Sequence, residues 1–117
     1  MKFIEQDIRG VYVIEPVKFG DARGYFSEVF KLEEFQEHIG PVKFVQDNES
    51  VSSRGVLRGL HFQGGEWSQA KRVRVSQGRV IDVVVDLRRE SATFGKHLMV
   101  ELSADNGRQL FIPRRFA

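Results

Sequence analysis

Most of the 117-residue chain consists of short runs in which apolar and polar residues alternate. A period of two is typical of β-strands that bury one face. The clearest example is the run KRVRVS, in which Lys71 shares one face with Val73 and Val75 while Arg72 falls on the other. Only the run KLEEFQEH, at residues 31–38, predicts a helix. The pattern predicts strands at residues 10–17, 25–30, 44–46, 56–63, 71–76, 79–87, 96–102 and 109–112.

This pattern predicts an all-β fold. Many short strands separated by clusters of Gly, Asn, Asp and Ser are typical of an antiparallel sandwich or barrel. The length of 117 residues fits a single domain, covering 1–117. The phosphate-binding loops GxGxxG and GxxxxGKS/T do not occur, so any nucleotide would have to be held by side chains across a sheet face.

Composition narrows the function classes only slightly. Apolar residues make up 41% of the chain, charged residues 29%, and the net charge is +2. The absence of cysteine excludes disulfides, thiolate metal sites and a cysteine nucleophile. The first residues, MKFIEQD, carry no signal-peptide pattern, and no run approaches the roughly 20 apolar residues that span a bilayer. We therefore expect a cytoplasmic protein.

The candidate chemistry centres on His61, which lies between Leu60 and Phe62 in an apolar run. Such a histidine is often only a core residue, but Lys71 is also predicted to point inward. An inward lysine is costly unless it meets an anion. Together the two side chains suit proton abstraction next to a carbonyl, in which the imidazole removes the proton and the ammonium stabilises the enolate oxygen.

Two features of this site stay open at the level of sequence. Strict alternation puts Arg58 and His61 on opposite faces, unless Gly59 allows a bulge that redirects one of them. Asp82 shares a face with Val80 and Val84, so it either orients His61 or is an edge or surface carboxylate paired with a nearby arginine.

Five motifs, in order along the chain, resemble the dTDP-4-dehydrorhamnose 3,5-epimerase family. They are DARGYFSE, QDNESVSSRG, VLRGLHFQ, KRVRVSQGRVIDVVVDLRRESATFGK and VELSADNGRQLFIP. The resemblance implies a cupin-like antiparallel jelly roll, a homodimer and no cofactor or metal. It also implies epimerisation of dTDP-4-dehydro-6-deoxy-D-glucose at C3 and C5, giving dTDP-4-dehydro-L-rhamnose.

The resemblance also implies roles for individual residues. His61 matches the family's catalytic base, and Lys71 matches the lysine that stabilises the enolate. Arg58 matches an arginine that contacts the substrate beside the base. The remaining matches are nucleotide contacts at Arg23, Phe26 and Glu28, and polar substrate contacts at Gln46 and Asn48.

The sequence departs from the family pattern after Ile112. The family continues through a Gly-Phe-Ala-His turn into further strands, which carry the general-acid tyrosine and an acidic partner of the base. Here the chain reads PRRFA, so we expect a fold that is incomplete at the C-terminus. Tyr12 and Tyr25 do not match the catalytic tyrosine. Arg115 replaces a turn glycine, at a position where a positive φ is expected.

Three other functions fit parts of the sequence. A sandwich that binds a sugar nucleotide without turnover would show dTDP binding without proton exchange. A metal-dependent cupin oxygenase is disfavoured because its site needs clustered histidines; here they are far apart, at His38, His61 and His97. Nucleic-acid binding gains little support from a net charge of +2. It would use Arg72, Arg74, Arg88 and Arg89.

Overall fold

The computed structural model describes residues 1–117, and antiparallel strands dominate it, as the sequence pattern predicts. The single α-helix is α1, Leu32–His38, and a 3-10 turn lies at Gly65–Trp67. No helix has the length and apolarity that crossing a bilayer requires. The strands are β1 Lys2–Glu5, β2 Tyr12–Glu15, β3 Lys18–Asp21, β4 Gly24–Ser27, β5 Lys71–Arg74, β6 Arg79–Val85, β7 His97–Ser103 and β8 Gln109–Ile112.

The strands form one larger sheet and two hairpins. The larger sheet has four strands in the order β1-β2-β8-β5, and every neighbouring pair is antiparallel. One hairpin consists of β3 and β4, and the other of β6 and β7. The four-stranded sheet therefore brings β5, from the middle of the chain, next to β8, near its end.

The main hydrophobic core lies between the four-stranded sheet and the β6–β7 hairpin. Alternate residues of β2, β5 and β8 face inward, among them Val13, Val73 and Leu110. They pack against Val84 of β6 and Leu102 of β7, both of which are fully buried. Full burial of one such side chain stabilises the fold by about 1.5–3 kcal/mol. These two layers make a β-sandwich.

Helix α1 covers the opposite face of the four-stranded sheet. Phe35, in the middle of the helix, is fully buried against Ile14 and Phe111. The N-terminal ammonium of Met1 donates a hydrogen bond of 2.8 Å to Glu34 in the first turn of α1, and so ties the helix to β1. The helix ends before Gly40, whose φ of 107° suits the glycine that commonly follows a helix C-terminus.

Two predicted strands are not formed. Residues 44–46 and 56–63 have no strand partner in the structure, and between α1 and β5 the 3-10 turn is the only regular element. Most side chains there are exposed, including Leu57 and Leu60. An apolar run becomes a strand only where a neighbouring strand accepts its backbone hydrogen bonds. Two short strands that the pattern did not predict, β1 and β3, are present.

The last residues run beside the end of β6. Val85 and Ala117 exchange two backbone hydrogen bonds, of 2.9 and 3.1 Å, and Asp86 forms an isolated bridge with Phe116. Arg115 has a φ of 71° and is the only non-glycine residue with a positive φ. The expectation of a positive φ at this position is therefore confirmed.

Candidate active site

Lys71 and Asp82 face each other across the interior of the sandwich. Lys71 pairs with Ile112 in the register between β5 and β8, so it lies on the inner face with Val73. Asp82 pairs with Val100 in the register between β6 and β7, so it lies on the face that carries buried Val84. Both ionisable side chains are half-buried. The predicted inward direction of Lys71 is confirmed.

The electrostatics of Asp82 connect it to both candidate catalytic groups. Burial raises the pKa of the Asp82 carboxyl above its usual value, because a charge is disfavoured away from water. Lys71, the backbone N–H of Val83 and His61 each lower that pKa, and together they only partly offset the burial. No side chain donates a hydrogen bond to Asp82. The three ionisable groups are therefore electrostatic neighbours in the sandwich.

His61 reaches this group from the irregular segment before β5. Its side chain is exposed. Gly59 has a φ of 101°, a conformation that favours glycine, and a β-carbon built there would lie in tight contact, 3.0 Å from His61 Nδ1. The bulge expected at Gly59 is not formed, because residues 56–63 are not a strand and have no ladder to interrupt.

Arg58, three residues before His61 in the same irregular segment, is held by hydrogen bonds within that segment. Its Nε donates to Ser52 Oγ at 2.9 Å, and its Nη2 donates to the carbonyl of Val51 at 3.2 Å. Further back, Gln46 Nε2 donates to Asn48 Oδ1 at 3.1 Å. All of these side chains are exposed, so the predicted polar substrate contacts face open space.

The predicted nucleotide contacts lie on the β3–β4 hairpin. Arg23 is in the turn and pairs with Asp21 at 2.6 Å, while Phe26 is 71% exposed. Glu28 follows β4 and is also exposed. No hydrogen bond or ion pair joins Arg23, Phe26 or Glu28 to His61, Lys71 or Asp82. The structure thus brings the candidate base, lysine and carboxylate together and leaves the hairpin contacts apart from them.

A cavity of about 850 Å³ lies elsewhere. It opens on the helix side of the four-stranded sheet, since Tyr12 and Phe111 line it, and not at the His61 site. Gln46 is the one predicted site residue in its wall. No three His, Asp or Glu side chains gather in an arrangement that could hold a metal ion.

Sequence reasoning named Asp82 but left its role undecided between orienting His61 and pairing with arginine. It did not single out Ser52, which fixes Arg58. The only signal for Ser52 was its place in the polar run QDNESVSSRG, and such runs are common in loops.

Similarity to known proteins shows which family the chain belongs to. The chain superposes on a crystal structure from Elizabethkingia anophelis, described as dTDP-4-dehydrorhamnose 3,5-epimerase, with a TM-score of 0.94 and 52% identity; the match covers 100% of this chain and 64% of that one. The fold is a cupin-like β jelly roll. A family model described as dTDP-4-dehydrorhamnose 3,5-epimerase matches residues 5–117. The chain belongs to this family.

Two further proteins with high sequence identity support the family assignment. The dTDP-4-dehydrorhamnose 3,5-epimerase of Escherichia coli K12 is 53% identical over 118 residues, which cover 100% of this chain and 64% of the relative. A structure from Legionella pneumophila, described as a dTDP-6-deoxy-D-glucose-3,5-epimerase in complex with dTDP-4-keto-L-rhamnose, matches with a TM-score of 0.93 and 46% identity, over 99% of this chain and 62% of that one. The chain thus spans a little under two thirds of the length of these relatives.

Proposed function

We propose that this chain acts in the epimerisation of dTDP-4-dehydro-6-deoxy-D-glucose at C3 and C5, which gives dTDP-4-dehydro-L-rhamnose. The observation that carries the proposal is that Lys71 and Asp82 face the interior of the sandwich, with the exposed His61 near enough to act electrostatically on Asp82. Membership of the epimerase family, and a relative crystallised with dTDP-4-keto-L-rhamnose, support the substrate class.

His61 is the general base in this proposal. A neutral imidazole nitrogen takes the proton from the carbon next to the 4-keto group. The C–H electron pair becomes the new carbon–carbon double bond, and the carbonyl π electrons move to the oxygen. Inversion of the carbon then requires that a proton from solvent return to the opposite face of the ring. A positioned base contributes roughly 10²–10⁴-fold to such a step.

Lys71 and Asp82 control charge during this step. The ammonium of Lys71 donates a hydrogen bond to the developing enolate oxygen, in a half-buried site where such electrostatic stabilisation is strong. The carboxylate of Asp82 stabilises the imidazolium that His61 becomes. The raised pKa of Asp82 reflects its burial, which is the condition under which a carboxylate acts strongly on a neighbouring cation.

The remaining candidate residues bind the substrate. Arg58 contacts it beside His61. The β3–β4 hairpin binds the nucleotide. Its Arg23 offers a guanidinium to the diphosphate, and its Phe26 offers an exposed ring to the thymine. The other proposed contacts are Glu28, Gln46 and Asn48.

The proposal includes a homodimer. The hairpin exposes Phe19, Tyr25 and Phe26, and it is an isolated pair of strands with unpaired edges. Exposed edges and aromatic surfaces tend to pair with another chain. Light scattering of the purified chain should give the mass of a dimer, and a monomer at high concentration would contradict this part of the proposal.

Solvent exchange tests the chemistry directly. The chain is mixed with dTDP-4-dehydro-6-deoxy-D-glucose in deuterium oxide, and deuterium at C3 and C5 is followed by NMR. His61→Asn should reduce the rate at least about 100-fold because the base is lost, and Lys71→Met should suppress it by removing the charge at the oxygen. His97→Asn is the matched control, since His97 is exposed on β7.

Two outcomes would contradict the proposal. One is exchange that persists undiminished in His61→Asn. The other is a wild-type chain that binds dTDP but incorporates no deuterium, which would favour a sandwich that binds sugar nucleotides without turnover.

A further inference from the structure

Three polar groups close a triangle of hydrogen bonds at the edge between β4, β5 and β8. Arg72 Nη1 donates to the carbonyl of Val29 at 2.9 Å and to Gln109 Oε1 at 3.0 Å. Gln109 Nε2 donates to the same Val29 carbonyl at 2.8 Å. The oxygen and the nitrogen of the Gln109 amide each form a hydrogen bond within this group, and the Val29 carbonyl accepts two.

The surroundings of Arg72 and Gln109 make these hydrogen bonds costly to break. Gln109 is 1% exposed, so either end of its amide would be left without water if its partner were removed. The Arg72 guanidinium lies 5.1 Å from the ring centre of Phe30 and 6.0 Å from that of Phe44, within the range of cation–π attraction. Burial is the main reason that the pKa of Arg72 is lowered, although arginine remains charged.

The contact joins segments that carry the proposed site residues. Val29 directly follows Glu28 and the β3–β4 hairpin. Arg72 directly follows Lys71 and points to the opposite face of β5. Phe44 leads into the segment of Gln46. This polar contact thus links the base of the β3–β4 hairpin to the strand that carries the proposed catalytic lysine.

We propose that Arg72 and Gln109 are positioning residues that hold the β3–β4 hairpin in the orientation required for nucleotide binding. The inference rests on the proposed function, because the hairpin's task is taken from it. The group formed by Arg72, Gln109 and the Val29 carbonyl is called the hairpin clamp below.

The hairpin depends on such a clamp because a two-stranded hairpin is at best marginally stable alone. Its only other hydrogen bonds to the sandwich come from Lys18 Nζ, which donates to the carbonyls of Ala104 at 3.1 Å and Asp105 at 2.8 Å. Lys18 begins β3, and Val29 follows β4. Each strand of the hairpin is therefore anchored once, at its base, and loss of the clamp frees one of the two.

The experiment compares Arg72→Met with Arg74→Met. Both changes remove a guanidinium from the same face of β5, but Arg74 is exposed and its side chain makes no hydrogen bond. A third variant, Gln109→Glu, still accepts from Arg72 but cannot donate to the Val29 carbonyl. Backbone order parameters from ¹⁵N relaxation are measured for residues 18–27 and for β6 and β7, together with dTDP affinity by calorimetry.

In Arg72→Met, order parameters of the hairpin should fall from about 0.85 to below about 0.6, while those of β6 and β7 stay unchanged. If the hairpin is then in place in one molecule in ten, the dTDP dissociation constant rises about tenfold. Gln109→Glu should show a smaller change in the same direction. Arg74→Met should behave as the wild type.

The inference is overturned if the hairpin keeps its order in Arg72→Met and Gln109→Glu, or if all strands lose order equally, which is the result of a purely structural role. Should Arg72→Met fail to fold, the Gln109→Glu variant and the Arg74→Met control give the same comparison. A wild-type chain that binds no dTDP would overturn the proposed function instead, and the order parameters would still decide the clamp.

Discussion

Asp86 is expected to control the acid stability of this protein. Its side chain is fully buried and accepts five hydrogen bonds. Arg88 donates three of them, from its backbone N, Nε and Nη2, each at 2.9 Å. Ser91 Oγ donates at 2.8 Å and Thr93 Oγ1 at 2.6 Å. These donors, with the Arg88 side chain first, hold the pKa of Asp86 far below its usual value.

The perturbation is Asp86→Asn, which keeps the shape but removes the charge. An amide NH₂ then faces donors, and Arg88 loses its anion. Breaking a buried ion pair costs about 3–5 kcal/mol. The Arg88 side chain is 23% exposed and regains some water, so we expect the lower end, about 3 kcal/mol. Urea unfolding at pH 7 measures this loss, and Asp105→Asn, at an exposed carboxylate, should stay within about 0.5 kcal/mol of wild type.

The pH dependence separates charge from packing. Because the folded-state pKa of Asp86 is depressed, its stabilisation is fully present above the unfolded-state value of about 3.9 and is lost as the pH falls toward the folded-state value. The difference between wild type and Asp86→Asn should therefore be constant from pH 7 to about 5 and shrink below about pH 4. A difference that stays constant down to pH 3, or a loss below about 1 kcal/mol at pH 7, would refute the reasoning.

Two further predictions concern the proposed site. Asp82→Asn should raise the free energy of unfolding at pH 7 but not at pH 3, because burial raises the pKa of Asp82 and the folded state bears the cost of its charge only above that pKa. A lower free energy of unfolding for Asp82→Asn at pH 7, measured with urea, would contradict this prediction. The same variant should slow deuterium exchange into the substrate. Arg23→Ala should weaken dTDP binding by roughly tenfold or more, the equivalent of one charged hydrogen bond of about 1.5–3 kcal/mol. Calorimetry at two salt concentrations checks this, since the loss should be smaller at high salt, and unchanged affinity would count against a nucleotide contact at the hairpin.

Alternation was sufficient to predict β2, β5, β6, β7 and β8 of the sandwich, but not β1 at the edge of its four-stranded sheet. The bounds 109–112 of β8 agree with the structure, and the separation of Lys71 from Arg72 onto opposite faces of β5 is confirmed. Such positions are predictable because a period of two fixes which residues share a face, and burial of Val73 then fixes which face is inside.

The failures come from interactions that the local pattern does not contain. Residues 56–63 read as a strand, yet strand formation depends on a partner that one segment's own sequence does not specify. Conversely, β3 was missed because KFGD contains a lysine, a glycine and an aspartate, which are depleted in strands. It forms because the turn at Ala22 and Arg23 returns the chain onto it as β4.

The types of residue in the candidate site could be predicted from the sequence, but their relative positions could not. Lys71 could be placed inside because it lies on a regular strand. His61 lies on an irregular segment, where residue spacing no longer determines direction, so its proximity to Asp82 had to be left open. The hairpin clamp was not predicted at all, since it joins Val29, Arg72 and Gln109, which are far apart in sequence.

Asp82 and Asp86 differ in a way that supports the location of the proposed site. The two carboxylates are four residues apart on one face of the same stretch of chain, yet their pKa values move in opposite directions. Asp86 is satisfied by donors from its own loop, so its charge is already stabilised and is available to no other partner. Asp82 is buried without side-chain donors, and the groups that act on its charge are Lys71, the backbone N–H of Val83 and His61. Carboxylates whose environments push their pKa values apart commonly divide structural from chemical roles. In the proposed function, Asp86 therefore closes the end of the sandwich, and Asp82 is the carboxylate whose charge is left to act on His61.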